Sequence, residues 1–478
     1  MFGALAADDP ASVLAKILAE KGTINSSELA RIEATAAGAK VDVLASLLAE
    51  KGLLTSGDMA RLGRTASEAR PVLVAVNGSP APQPTPAPKP EAPSPPVTSQ
   101  SKFPITVYGT LLVNAFYDTS LTNIQDIPLF AGKQGSDALG NDKSFGMTAR
   151  QTRVGMRYTG PTVAGARISG QAEVDFLGGK AAFGNGINMD LMRLRLALGR
   201  LDWKHFTLEA GQDWSVFAPL NPTTLAEFAI PGLSASGNPW IRMPQIRGEF
   251  HDDLSDTTRV LFQVAAIDPD VGDYNTTVFS SGRTPGIGER GRYPGVDSRL
   301  ALTTKAYERE FGFGVSSHYS RGKNGGTVGP LTLQTPVNSW GTALDYSLPI
   351  TKALGLSGEW FVGRALGIFS VASGESVLPE GTVGQAGVFS RGGWSQAQFN
   401  LNPKWQMNLS YGIDSERNRE LRVGDRNKNQ TYVGNIIYKF TPQVNFALEW
   451  RRFLSNWKEQ RFANEIGNHV NLAVAYIF

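Results

Sequence analysis

Cysteine is absent from the 478 residues, histidine occurs four times, and charged residues make up only 19% of the chain. The first absence excludes a disulfide framework and any Cys-ligated metal. No run of about 18 apolar residues occurs, which excludes a transmembrane helix; a spanning strand needs only about 10 alternating residues and stays open. An excess of one charge is also missing. The 46 Lys and Arg nearly balance the 43 Asp and Glu, which suggests neither nucleic-acid binding nor a disordered polyelectrolyte. The histidines, His205, His251, His318 and His469, are scattered, and His318 lies between Ser316 and Ser320 with no obvious acidic partner. A Ser-His-acid hydrolase needs all three groups together, so no enzyme, cofactor or metal site is expected.

What the chain has in quantity is glycine (52), and aromatics at 9%. Within the opening residues, 1–7, Ala4, Leu5 and Ala6 fit the small-residue end of a secretory signal, but no basic or apolar stretch precedes them. The expectation is a remnant of a signal peptide whose true start lies upstream. Next, VLAKILAEKGTINSSELARI (13–32) recurs as VLASLLAEKGLLTSGDMARL (43–62). Each copy reads as a helix, a Gly stop (Gly22, Gly52), an N-cap (Asn25, Thr55) with an acid three residues on (Glu28, Asp58), and a second helix. Leu14, Ile17, Leu18, Ile24, Leu29 and Ile32 are placed to face one another inside a helical hairpin. Residues 8–70 are thus read as a periplasmic helical repeat module and 71–102 as a Pro-rich linker, a polyproline spacer that builds no core.

From Phe103 to Phe478 the chain becomes a succession of runs with a period of two. In residues 405–413, Trp405, Met407, Leu409, Tyr411 and Ile413 form one face, and Gln406, Asn408, Ser410 and Gly412 the other. The connections alternate. Short ones fall at 159–165, 200–204, 251–257, 307–310, 349–352, 402–403 and 441–443; long ones fall at 119–145, 178–188, 214–240, 268–296, 321–335, 364–391, 415–429 and 454–468. Strict alternation of short and long connections predicts an all-β, transmembrane antiparallel β-barrel of about sixteen strands, with both ends in the periplasm. The last strand, Val470, Leu472, Val474, Tyr476 and terminal Phe478, resembles the signal read by the barrel-assembly machinery. Outer-membrane lipid is the other partner this architecture requires.

With the apolar face toward lipid, the other face lines the lumen. Successive strands then place Gln151, Arg153 and Arg157; Arg167, Glu173 and Asp175; Arg193 and Arg195; Glu209 and Asp213; Arg247 and Glu249; and Arg299 and Lys305 inside. Arg153, Glu173, Arg195, Glu209 and Arg247 alternate in sign from strand to strand. Two roles stand together: a salt-bridged wall, and a basic ladder with a weak preference for anions. The third long connection, WSVFAPLNPTTLAEFAIPGLSASGNPW (214–240), carries a single charge, Glu227. A loop so apolar suits the lumen better than water, and Trp214, Phe217, Asn221, Glu227 and Trp240 are its candidate constriction residues.

Several of these stretches carry a resemblance. GQDWSVFAPLNPTTL (211–225), WIRMPQIRG (240–248), YGTLLVNAFYD (108–118), RQTRVGMR (150–157), EVDF (173–176) and MRLRLALG (192–199) look like the DcaP-like outer-membrane porins. The likeness covers most of 103–478 and is densest in its first half. It implies a homotrimeric channel for small organic anions such as dicarboxylates, and by matching positions it implies that Arg193, Arg195, Arg242 and Arg247 contact the solute. The amino-terminal part departs from the family: a thirty-residue repeat and a Pro-rich spacer stand where a short coiled coil is expected. GIGERG (286–291) matches GxGxxG but lies in a long connection without the strand and helix a nucleotide site needs. Asp268, Asp270 and Asp273 read as a solvated turn. A structural alternative to a porin is an outer-membrane anchor that tethers the helical head to peptidoglycan in the cell wall.

Overall fold

The computed structural model describes residues 9–20, 24–35, 39–51, 104–133, 143–179, 190–269, 285–328, 331–371, 387–458 and 464–478. The signal remnant, Gly22, the second repeat beyond Lys51, the Pro-rich linker, Asp270 and Asp273 lie outside them. The chain divides into two compact units, Met1–Pro96 and Val97–Phe478.

In the first unit, α1 (Pro10–Glu20), α2 (Ser26–Glu33) and α3 (Lys40–Glu50) pack Ala15, Ile24, Ile32, Leu44 and Leu47 together. Asn25 starts α2 with the predicted capping box: its Oδ1 accepts from Glu28 N at 3.0 Å, and Glu28 Oε2 accepts from Asn25 N at 2.7 Å. The two bonds satisfy backbone donors that a helix start leaves free. One expected core position fails: Leu14 is exposed, because the turn of α1 that faces its neighbours presents the smaller Ala11 and Ala15.

The second unit is a closed antiparallel barrel. Its strands are β1 (Ile105–Asp118), β2 (Ser144–Thr148), β3 (Arg153–Val163), β4 (Ala166–Asp175), β5 (Arg193–Asp202) and β6 (Phe206–Trp214). They continue with β7 (Arg242–Ser255), β8 (Thr258–Ile267), β9 (Gly295–Ala306), β10 (Arg309–Val328), β11 (Leu331–Leu348) and β12 (Leu354–Arg364). The last five are β13 (Phe389–Asn400), β14 (Trp405–Glu416), β15 (Arg426–Lys439), β16 (Val444–Trp457) and β17 (Asn464–Ile477). From β3 to β17 each pairs with its chain neighbour, and β1 pairs with β17 from Thr110↔Ile477 to Asp118↔His469, so no edge is left open. Both β2 and β3 pair with β1 and together fill one position, which gives sixteen barrel strands, as the alternation of connections implies.

The period of two decides which residues meet lipid. On β1, Val107, Leu111, Val113 and Tyr117 are exposed while Leu112 and Asn114 are fully buried; on β14, Trp405 and Leu409 point out and Gln406 and Asn408 in. One connection differs from expectation. Residues 321–328 and 331–335 are strand, not loop: β10 and β11 run on, paired from Arg321↔Asn338 to Val328↔Leu331, because continuing the ladder satisfies backbone groups that a loop leaves to water.

Candidate functional site

The site is built from two features, the loop that follows β6 and the wall it meets. Residues 215–241 leave the wall and fold inward. Their first contacts are at the base: Ser215 Oγ donates to Asp297, Ser215 Oγ accepts from Phe217 N at 2.9 Å, and Ser316 Oγ accepts from Ala218 N at 3.1 Å. Phe217 is fully buried against Phe369, 4.8 Å between ring centroids. Further on, Leu220 N meets Glu359, Thr223 N meets Gln396 at 3.0 Å, and Thr224 Oγ donates to Glu449. Ser236 reaches Thr431 at 2.6 Å on β15. The loop therefore crosses the lumen from β6 and β7 to the wall of β12–β16.

The opposite wall is shaped for it. A Cβ on Gly412 would meet Ser236 O at 2.1 Å, and one on Gly237, at φ +92°, would meet Gly393 O at 2.2 Å. Only glycine allows such a close backbone approach. On the β1–β3 side, Gln151 makes four hydrogen bonds: Oε1 accepts from Phe228 N (2.7 Å) and Ala229 N (3.0 Å), and Nε2 donates to Ala226 O (2.8 Å) and Asn114 Oδ1 (3.2 Å). It sits in the break between β2 and β3, where the chain leaves the ladder.

The loop's one acid is anchored as well. Glu227 is buried and pairs with Arg451 on β16, whose guanidinium also holds Glu449; its Oε2 accepts from Leu233 N at 3.1 Å. Burial, opposed by Arg451 and reinforced by Glu449, pushes the Glu227 carboxyl up to about 7. Of the other predicted loop residues, Asn221 Oδ1 accepts from Asn238 Nδ2 at 3.2 Å, bracing the loop on itself. Trp214 and Trp240 flank its base and hold the Arg242 guanidinium at 4.6 and 5.1 Å from their rings.

The lumen charges form two networks. In the upper one, toward the long connections, Glu173 accepts from Arg195 Nε at 2.7 Å and faces Arg153 Nε at 3.4 Å. Asp175 takes Arg193 through two bonds, 3.0 and 2.6 Å, and Arg195 at 2.8 Å. Three of these side chains also grip the loop: Arg153 donates to Phe228 O at 2.8 Å, and Arg193 and Arg195 donate to Ala229 O at 2.9 and 3.1 Å. Arg242 joins them at 3.4 Å from the same carbonyl, and its Nη1 is buried without a hydrogen-bond partner among the described residues.

In the lower network, Arg247 holds Glu209 (2.8 Å), Asp213 (2.9 Å) and Glu249 (2.9 Å). Arg200 bridges Asp202, Glu209 and Glu249 at 2.8, 3.1 and 2.8 Å. The predicted strand-to-strand ladder is broken here, since Arg195 does not pair with Glu209. The register of β4 on β5 shifts between Glu173 and Val174, so Arg195 is an extra residue of a bulge and Arg200 turns inward in its place. Alternation alone could not show the bulge; Asp202, Glu209 and Glu249 without a basic partner were the available signal. Arg299 pairs on its own with Asp345 at 2.7 Å.

Accessibility differs among the lumen charges. Arg195, Arg451, Glu359 and Glu449 are buried beneath the loop, while the side chains of Arg153 (22%), Arg193 (28%) and Arg200 (31%) keep contact with solvent. The accessible part of the lumen thus borders β3–β5.

His318 does have an acidic partner, contrary to the sequence reading: Asp297 lies 2.7 Å from Nδ1, and Ser339 Oγ lies 3.0 Å from Nε2. The partner was hidden because Asp297 is one strand away, at the register position opposite His318. Ser339 donates its hydroxyl hydrogen to Ala365 O at 2.8 Å, and the histidine and both its partners are buried. The three groups brace the loop base through Ser215. GIGERG likewise folds as a capped turn, Glu289 Oε2 accepting from Gly286 N at 2.7 Å, with Gly291 pressed on the backbone of Arg321.

Comparison with solved structures finds similar chains. The crystal structure of the outer membrane channel DcaP of Acinetobacter baumannii is 18% identical, with a TM-score of 0.58 over 80% of this chain and 99% of that one. An anion-selective porin from Comamonas acidovorans is 12% identical, with a TM-score of 0.47 over 79% of this chain and 100% of that one. The first likeness shows that the barrel has the fold of an outer-membrane channel. No protein-family model and no curated protein matches the chain.

Proposed function

We propose that the chain is an outer-membrane porin that passes small, preferentially anionic organic solutes, dicarboxylates among them, by passive diffusion through a lumen narrowed by residues 215–241. The fold it shares with a channel supports the porin half of this reading. One observation carries the anionic half: among the described residues, Arg153, Arg193, Arg195 and Arg242 of the upper network face only Glu173 and Asp175, and part of that basic surplus stays accessible. A carboxylate entering from the long-connection side meets Arg193 and Arg153 first, with donors already ordered by the loop carbonyls they hold. The lower network has the opposite balance, Arg200 and Arg247 against Asp202, Glu209, Asp213 and Glu249, which keeps the preference weak.

Ile105 pairs with Tyr158 near the short β3–β4 turn, so β1 starts at the short-turn end, and in this reading the preceding residues lie in the periplasm. The proposed assembly is a homotrimer in outer-membrane lipid, inserted through the strand ending at Phe478. His318 takes no part in catalysis here, since no substrate reaches a buried Ser339. Competition in planar bilayers tests the reading: millimolar dicarboxylate on the long-connection side is expected to reduce chloride current more than monocarboxylate does, and equal effects from an organic cation of similar size would overturn it.

A further inference from the structure

Four cations gather on one arc of the barrel's outer surface, toward the long connections. By register, Arg321 follows Tyr319 on the lipid-facing row of β10; Arg391 on β13 pairs with Val362 and Ser415; Lys428 on β15 pairs with Ser415; and Arg452 on β16 pairs with Tyr432. Tyr319 and Tyr432 are exposed, which fixes this as the outer face, and the inward neighbours Ser390, Asn429 and Arg451 are buried. Among the described residues none of the four has an acidic partner. Arg364 and Arg417 lie beside them and share the single acid Glu420, at 3.1 Å each. The outer positions of β1, β4 and β5 instead carry Val113, Ala115, Ala172, Val174 and Leu194, without a charge.

Height gives the arc its meaning. The four residues lie eight to twelve positions from the short-turn ends of their strands. At about 3.3 Å per residue and a tilt of about 40° that is roughly 20–30 Å, the upper edge of an apolar band about 25 Å tall. A cation facing hydrocarbon there is costly, whereas a cation level with headgroups is stabilised by anionic lipid. Guanidinium forks match phosphate oxygens two at a time. Carboxylate solutes belong to the lumen, on the other face of the wall.

We propose that the outer surface of β10–β16 is a seat for phosphate-bearing lipid headgroups of the extracellular leaflet. The seat rests on the outer-membrane reading above. The test uses the full chain in non-ionic detergent, mixed with a diphosphorylated acylated glucosamine disaccharide, its dephosphorylated counterpart or phosphatidylcholine, and counts retained lipid by native mass spectrometry. The phosphorylated glycolipid is expected to be retained at least tenfold better than the other two. Joint substitution of Arg321→Gln, Arg391→Gln, Lys428→Gln and Arg452→Gln should lower its retention about tenfold, while Arg→Lys at the three arginines keeps most of it. Equal retention of both glycolipids, full retention by the four-site variant, or displacement by equimolar inorganic phosphate would overturn the seat. Conductance of the same preparations separates the two ideas: the variant should conduct as the parent does, and a parent that does not conduct counts against the porin alone.

Discussion

Replacing Glu227 by Gln should remove a pH dependence expected of the parent. Glu227 belongs to the inserted loop, outside the spanning strands, and its carboxyl, pushed up to about 7 by burial, is protonated more readily in the docked loop than in water. An ordinary Glu titrates near 4.3, and each tenfold in proton affinity is worth about 1.4 kcal/mol, so docking gains on the order of 3 kcal/mol when the group is neutral. A group whose folded value is raised contributes fully below its unfolded value and loses that contribution as pH rises through the folded one. The docked loop is therefore held most firmly below about pH 4, and this hold is lost as pH rises through about 7. Gln mimics the neutral form and keeps its contact with Leu233 N. Single-channel recordings at pH 5, 7 and 9 are expected to show a rise in conductance and flicker for the parent and a flat response for Glu227→Gln. A parent response that is flat, or a variant that keeps the full dependence, would refute the reasoning.

Other perturbations act on the same loop and wall. Gly412→Val places atoms where Ser236 O lies 2.1 Å from an added Cβ, so the loop tip must lift and conductance should rise in bilayer recordings; deletion of residues 222–236 should raise it further. His318→Ala strips the buried Asp297 of its ring partner at a cost of about 3–5 kcal/mol. That cost should be visible as earlier loss of the folded, fast-migrating form on heated gels. Arg193→Ala with Arg153→Ala removes the accessible basic surplus and should cut the anion-to-cation permeability ratio about two- to threefold, measured from bi-ionic potentials.

Much of the barrel was legible because lipid and lumen impose opposite solvents on alternate residues, so the runs around Val113 and Leu409 announce both strand and orientation. Connection lengths supplied the strand count. What escaped was whatever depends on register or on partners far apart in sequence. The extra residue at Arg195 shifts the inward set, brings in Arg200 and splits one charge ladder into two networks. Extension of β10 and β11 follows from backbone pairing that Gly-rich sequence does not advertise. The inserted loop was legible from its missing charge, but its anchors were not. Arg451 and Gln151 lie 224 and 76 positions from the Glu227 segment they hold, and the Asp297 partner of His318 is set by register across two strands.

The accessible arginines are expected to bias passive conduction toward anions. Reversal potential under a tenfold KCl gradient in planar bilayers measures this directly, with about 59 mV as the limit for perfect selectivity. A value of anionic sign at a fraction of that limit, roughly 10–30 mV, is predicted. A potential of cationic sign, or a reconstituted chain that carries no current at any pH, would contradict it.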